Sequence, residues 1–177
     1  MMVVTVPKLR QKTLGAFACT ALLILASGSA SADENENEGI LGTGEGNESR
    51  SDGLHAEANR VERNESGNLV SVDWSIANET DSDLALTWLY EQETYTYNGN
   101  FYSGVTAVDS ETDTRYHPLM DQAGECVCAG NISGQFYERV VSGGKSAYWS
   151  LFSVPSDVET LTLEVPGFEP IEDIPID

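Results

Sequence analysis

The sequence predicts an all-β domain built as a two-layer antiparallel sandwich of about seven strands. Apolar and polar residues alternate with a period of two through most of the chain after residue 53, and Gly, Asn, Asp and Ser cluster between the alternating runs. No stretch of this region has the apolar stripe of a helix. Because parallel strands need crossover segments that are usually helical, the strands are expected to be antiparallel.

The first predicted strands run from Leu54 to Arg63 and through the alternating residues that follow the turn at 64–67. Another turn at 78–83 leads into a second alternating run. The inward-facing residues of these two runs are expected to be Val70, Val72, Trp74 and Ile76, then Leu84, Leu86, Trp88 and Tyr90.

Three later features complete the predicted sandwich. Residues 105–108 and 114–119 flank an acidic turn and form a hairpin, and residues 136–141 and 147–154 flank the Ser142–Lys145 turn and form another. A last strand places Leu161, Leu163 and Val165 on one face. The large core residues are expected to be Trp74, Trp88 and Trp149.

The start of the chain is typical of a secretory signal peptide covering residues 1–32. Basic residues 8, 10 and 12 precede an apolar run from Leu14 to Ala26, and Ala30-Ser31-Ala32 supplies the small residues of a cleavage site. We therefore expect a secreted protein of the extracytoplasmic cell envelope, with no transmembrane segment in the mature chain. Residues 33–52 are acidic, lack aromatic residues and are expected to form a disordered linker, which leaves residues 53–177 as the domain.

The charge of the chain excludes some classes of partner. The full chain has a formal charge of −20. The predicted signal peptide holds three of the nine basic residues and none of the 29 acidic ones, so the mature chain has six bases and a charge of −23. Such a chain has no basic surface for nucleic acid or anionic lipid, and its self-repulsion indicates adaptation to high salt.

Cys126 and Cys128 are the two cysteines of the predicted mature chain. In an oxidising compartment they are expected to form a disulfide, provided that the chain bends, because the Cα atoms of an extended strand would lie about 6.6 Å apart. A metal site with His117 or Met120 as third ligand is an alternative, as is a reduced or intermolecular pair.

Carboxylates at Asp109, Glu111 and Asp113 have the spacing that opens a calcium-binding loop. The glycine and the terminal acid of such a loop are replaced by Thr114 and Met120, so a solvated hairpin turn is the favoured interpretation. We expect no cofactor.

An aromatic segment around Asn98-Gly99-Asn100 is a candidate binding loop, or else part of the packing of the sandwich. Its members are Tyr95, Tyr97, Phe101 and Tyr102. A hydrolase would have to use His55 or His117 as its base, and no G-x-S-x-G motif is present. Four N-x-S/T triplets begin at Asn47, Asn64, Asn78 and Asn131, and they are uninformative if the source is a bacterium.

Three segments carry a resemblance to a known family: W-S-I-A-N-E-T-D-S-D at 74–83, V-T-A-V-D-S-E-T-D-T-R-Y at 105–116, and V-S-G-G-K-S-A-Y-W-S-L-F-S-V-P at 141–155. Together they resemble the telokin-like, immunoglobulin-like domains of small secreted bacterial proteins. The C-x-C pair with V-P-G-F-x-P-x-x-D-I-P-I at 165–176 is similar to secreted domains that precede peptidoglycan-binding modules. These resemblances imply an immunoglobulin-like sandwich and a location, and no catalytic residues.

The expected function is that of a secreted, salt-adapted, non-catalytic binding or accessory module, whose partner is an unidentified protein or another component of the cell envelope. The first alternative is a metal-handling protein that uses Cys126 and Cys128. The second alternative is a hydrolase.

Overall fold

The computed structural model describes residues 39–90, 95–131, 133 and 136–177. The predicted signal peptide and residues 33–38 of the predicted linker lie outside this part. The described part contains a 3₁₀ helix at Thr87–Tyr90 and ten strands. The strands are β1 (Gly42–Glu45), β2 (Leu54–Arg63), β3 (Leu69–Asn78), β4 (Leu84–Ala85), β5 (Thr106–Asp109), β6 (Thr114–Tyr116), β7 (Arg139–Val140), β8 (Lys145–Ser153), β9 (Thr160–Glu164) and β10 (Ile171–Pro175).

The strands form two four-stranded antiparallel sheets and one two-stranded sheet. The strand order is β1-β2-β3-β8 in the first sheet and β10-β9-β5-β6 in the second, while β4 pairs with β7. Buried side chains of both large sheets belong to one core, among them Trp74 and Phe152 from the first and Leu163 and Ile174 from the second. The predicted all-β, two-layer antiparallel fold is confirmed, with more strands than the about seven expected.

Strand β3 illustrates why the period-two pattern predicts this fold. Val70, Val72, Trp74 and Ile76 are each at most 1% exposed, so the predicted inward face is confirmed. Strand β2 has the predicted limits and pairs with β3 along its length, except for a bulge at Asn59. Fully burying such side chains contributes about 1.5–3 kcal/mol each. Strands β2 and β3 are the two central strands of the first sheet.

The prediction of a disordered linker over residues 33–52 is wrong for the described residues 39–52. Strand β1 pairs with β2 in register Gly42↔Ala58 to Glu45↔His55. A Cβ atom at Gly44 would lie 2.1 Å from the backbone oxygen of Glu169, so only glycine permits this close approach. Ser51 is fully buried. Backbone pairing and close backbone contact hold this segment, and neither depends on the apolar side chains whose scarcity suggested disorder.

The alternating run from Leu84 to Tyr90 is only partly a strand. Strand β4 ends at Ala85, and a 3₁₀ helix follows at Thr87–Tyr90. Trp88 is nevertheless buried, and its indole Nε1 donates a hydrogen bond to the Pro166 carbonyl oxygen at 3.0 Å. The strand prediction is therefore wrong beyond Ala85, because the turn of the helix buries Trp88 and Leu89 without any ladder.

The two predicted hairpins have different outcomes. Strands β5 and β6 pair across the acidic turn, so the first hairpin is confirmed. The turn at Ser142–Lys145 exists, with the Gly144 amide donating to the Val141 carbonyl oxygen at 2.9 Å. The strands that flank it belong to different sheets, because β7 pairs with β4 whereas β8 pairs with β3. The second hairpin is therefore wrong, since a turn motif specifies a reversal of direction and not the partner of each strand.

The prediction that Trp149 is a core residue is wrong. Its neighbours Tyr148 and Ser150 face the core, so the pleat of β8 directs Trp149 to the outer face, where it is 38% exposed. Trp74 and Trp88 are buried as predicted.

Candidate functional site

The Cys126–Cys128 disulfide is present, as predicted. The two Cα atoms lie 5.3 Å apart, closer than in an extended strand, because the chain bends around Val127. Both cysteines are buried, and they form a small apolar cluster with Phe101 against which Tyr97 packs. The sulfur atoms are bonded to each other, so in this state the pair offers no thiolate for a metal ion.

Residues 118–129, which we call the ribbon, carry the disulfide along the edge of β8. The Leu119 amide donates to the Leu151 carbonyl oxygen at 2.9 Å, and the Leu151 amide donates to the Val127 carbonyl oxygen at 3.1 Å. Within the ribbon the Val127 amide donates to the Leu119 carbonyl oxygen at 2.8 Å. The ribbon therefore covers an edge of the first sheet and takes a fixed position beside it.

The turn of the ribbon is organised by Asp121. Its Oδ1 accepts hydrogen bonds from the amides of Ala123 and Glu125, both at 2.8 Å. Asn98 joins this turn to the aromatic segment. Its side-chain amide donates to the Ala123 carbonyl oxygen at 2.6 Å, and its backbone amide donates to the Gly124 carbonyl oxygen at 2.7 Å. The ribbon and the aromatic segment are therefore one connected unit.

The four aromatic residues of the predicted binding loop have different surroundings. Tyr102 is fully buried, with its ring centroid 4.8 Å from that of Phe136 in the core, and Phe101 is 1% exposed. The prediction that these two belong to a binding surface is wrong, since the sandwich and the disulfide enclose them. Tyr95 is 49% exposed and Tyr97 is half-buried, and these two face a groove.

This groove, which we call the Tyr95 groove, has a volume of about 320 Å³. Its walls come from the aromatic segment, strand β6, the start of the ribbon and Ser153 at the end of β8. The side chains that line it include Tyr95, Tyr97, Arg115, His117 and Met120.

Ring contacts and one hydrogen bond fix the walls of the Tyr95 groove. The Tyr95 ring lies edge-on to His117, with centroids 5.0 Å apart, and 6.4 Å from the Tyr97 ring. The Tyr97 hydroxyl donates to the Pro118 carbonyl oxygen at 2.6 Å. Met120 also lines the groove and is 44% exposed. The groove thus combines fixed aromatic rings with an adaptable thioether, a composition found at recognition surfaces.

The charges around the Tyr95 groove leave its walls close to neutral at pH 7. Burial lowers the pKa of His117, and the positive charge of Arg115 lowers it further, so the imidazole is uncharged. Arg115 is itself paired with Glu164, whose Oε1 lies 3.1 Å from the arginine Nη2. Burial, with a contribution from Tyr95, raises the pKa of Tyr97 to about 12, so its hydroxyl stays protonated.

The predicted calcium-type residues do not converge on a common point. The Asp109 carboxylate accepts hydrogen bonds from the Glu111 amide at 3.0 Å and from the Thr112 hydroxyl at 2.6 Å, and these bonds hold the hairpin turn. The bond from Thr112 is the largest cause of the lowered pKa of Asp109. Glu111 and Asp113 are exposed. Within the described residues no group of three or more His, Cys, Asp or Glu side chains is arranged to hold a metal ion.

His55 is held by two carboxylates, a contact that the sequence did not predict. Its Nδ1 lies 2.7 Å from Glu45 and its Nε2 lies 3.1 Å from Glu79. Burial lowers the pKa of His55, but the hydrogen bonds and charges of Glu79 and Glu45 outweigh that effect and raise it. When it is protonated, the imidazole can donate to these carboxylates from both nitrogen atoms, and in that state it has no free lone pair to act as a general base.

Arg115, Pro118 and Leu119 line the Tyr95 groove but were not predicted as site residues. Arg115 in particular lies on a strand whose alternation indicates only an exposed face. The sequence contains no local pattern that would place these residues in the same groove as Tyr95.

No helix within the described residues is long and apolar enough to cross a membrane. Comparison of the chain with protein-family models, with curated proteins and with solved structures found no match.

Proposed function

We propose that this protein is a secreted, salt-adapted, non-catalytic binding module of the cell envelope, and that its ligand site is the Tyr95 groove. The observation that carries the proposal is the groove itself, in which two exposed apolar side chains, Tyr95 and Met120, stand on walls fixed by ring contacts and a hydrogen bond. Exposed aromatic residues on a rigid scaffold are the usual anchors of protein recognition.

The partner is an extended segment of an envelope protein that combines apolar and basic side chains. The apolar part suits the rings of Tyr95 and Tyr97 and the Met120 thioether. The basic part follows from charge complementarity, because residues 53–177 contain 22 acidic residues and five basic ones. In concentrated salt this attraction acts only over a few ångströms, so basic groups count where they touch the domain.

The two histidines that could serve as a catalytic base are engaged in other contacts. His55 is bound by two glutamates, and His117 packs against Tyr95 and is uncharged. A metal-handling function would need the thiols of Cys126 and Cys128, which are joined in a disulfide. These observations favour the binding function over both alternatives. Membership of the immunoglobulin-like family remains a prediction.

The test is a calorimetric titration of the protein with two model peptides that differ only in charge. One peptide alternates Leu and Lys, and the other replaces each Lys by Glu. We expect binding of the basic peptide only. The variants Tyr95→Ala and Met120→Ala should each weaken it by about 5–30-fold, the effect of removing 1–2 kcal/mol of anchor contact.

Tyr137→Ala is the matched control, because Tyr137 is 60% exposed and does not line the Tyr95 groove. Its affinity for the basic peptide should equal that of the unmodified protein. Equal losses in Tyr137→Ala and Tyr95→Ala, or equal binding of the two peptides, would contradict the proposal.

A further inference from the structure

The N-x-S/T triplets of the chain are distributed unevenly between its surface and its interior. Three of them share the form N-E-S or N-E-T and begin at Asn47, Asn64 and Asn78. A fourth begins at Asn131 and includes Ile132, which lies outside the described residues. We infer that Asn47 and Asn64 are N-glycosylation sites and that Asn78 is not.

Asn64 meets the structural requirements of an acceptor. It is exposed in the turn between β2 and β3, where its Oδ1 accepts from the Leu69 amide at 3.0 Å. Its Nδ2 lies 2.6 Å from the Ser66 hydroxyl, the third residue of the triplet. A sugar on Nδ2 would leave one N–H for Ser66 and the Oδ1 contact intact, so the turn can keep its conformation after modification.

Asn47 also lies on the surface. It follows β1, and its backbone amide donates to the Gly167 carbonyl oxygen at 2.9 Å, which fixes the main chain while the residue remains exposed. Ser49, the third residue of this triplet, is exposed in the turn that follows. Both triplets therefore present asparagine and hydroxyl together to solvent, as an acceptor site in a surface loop requires.

Asn78 has the same sequence motif but an incompatible environment. It is 1% exposed, and its Nδ2 donates both hydrogen atoms to backbone carbonyl oxygens, that of Ser82 at 2.9 Å and that of Val140 at 3.0 Å. Its Oδ1 accepts from the Thr80 amide at 3.0 Å. A sugar on this nitrogen would break one buried hydrogen bond and find no space, so the folded protein should carry Asn78 unmodified.

The modification is a group transfer whose donor is a sugar carried on a lipid phosphate. Nδ2 forms a bond to C1 of the sugar while the bond between C1 and the phosphate oxygen breaks. The phosphate leaves with the electron pair of that bond, and Nδ2 releases one proton to a base. The transfer takes place outside the cytoplasm, so this inference rests on the secretion that forms part of the proposed function.

The experiment is peptide mapping by mass spectrometry of the protein purified from the outside of its native cells. We expect peptides containing Asn47 and Asn64 to carry at least one sugar, and the peptide containing Asn78 to carry none there. Ser66→Ala should abolish the modification at Asn64, whereas Ser66→Thr, which keeps the hydroxyl, should retain it. Ser49→Ala and Ser49→Thr form the same pair for Asn47.

Several results would overturn the inference and are distinguishable from failure of the proposed function. Unmodified Asn47 and Asn64 in processed, exported protein would refute glycosylation and leave secretion standing. A sugar on Asn78, or its retention at Asn64 in Ser66→Ala, would refute the assignment of sites. Protein found inside the cell with residues 1–32 still attached would refute secretion, and glycosylation with it.

Discussion

Reduction of the Cys126–Cys128 disulfide should destabilise the domain only slightly. A disulfide stabilises a fold mainly by restricting the unfolded chain, and this one closes a loop of three residues. The ribbon is also held by backbone hydrogen bonds that do not depend on the sulfur atoms, including those of Leu119 and Leu151 with Val127. The reduced protein should therefore keep the ribbon in place.

The magnitude follows from the length of the loop. The chain-entropy relation gives about 1.6 kcal/mol at 25 °C for three residues, compared with about 3 kcal/mol for fifteen. Since both cysteines are buried beside Phe101, their thiols would keep most of the apolar contact after reduction. We therefore expect the free energy of unfolding to fall by no more than about 1.6 kcal/mol.

The assay is urea unfolding followed by tryptophan fluorescence, with and without a phosphine reductant, at a salt concentration that keeps the protein folded. Alkylation and mass spectrometry should show two thiols in the reduced sample and none in untreated native protein. Because the sulfur atoms are buried, reduction should be slow and should accelerate in low concentrations of urea. A fall of more than about 3 kcal/mol in the free energy of unfolding on reduction, or complete unfolding, would refute the reasoning. Free thiols in untreated native protein would also refute it.

Three further predictions concern the N-terminal segment, the charge of the protein and His55. A protein that begins at Gly53 should lose at least about 2 kcal/mol of stability relative to one that begins at Asp33, because it lacks β1 and the buried Ser51. An unchanged midpoint of urea unfolding would contradict the role of β1. The melting temperature should rise between about 0.05 M and 2 M potassium chloride as salt screens the acidic surface. A melting temperature that does not change with salt concentration would refute salt adaptation. The raised pKa of His55 should stabilise the fold below about pH 6.5, and this stabilisation should vanish as pH rises through the folded-state pKa. His55→Gln should therefore be less stable than the unmodified protein at pH 5.5 and nearly as stable at pH 9. A difference in the free energy of unfolding between the two proteins that increases with pH would contradict this linkage.

The sequence predicts best those strands that bury one face by strict alternation. Strands β2 and β3 and the β5–β6 hairpin follow from such patterns and from turn residues. Leu161, Leu163 and Val165 are buried as their alternation indicates. The disulfide was also predictable, because the predicted mature chain offers Cys126 only Cys128 as a partner.

Two of the edge strands, β1 and β10, were not predictable, since they lack this alternation. Strand β1 contains two glycines, and its place in the sheet depends on backbone hydrogen bonds and on the close approach that Gly44 permits. Strand β10 buries Ile171 and Ile174, which are three residues apart because a register shift lies between them. An odd spacing breaks the period of two, so the sequence pattern shows no strand there.

The sequence by itself determined which residues alternate, where the chain turns and which thiols can meet, because these depend on neighbours along the chain. Only the tertiary structure decided that β7 and β8 separate after their turn, that Trp149 faces outward, and that Phe101 and Tyr102 are enclosed while Tyr95 is not. Each of these outcomes depends on which distant segment covers a given face. The Tyr95 groove exists for the same reason, since only the fold brings the aromatic segment, the continuous stretch 115–120 and Ser153 of β8 together.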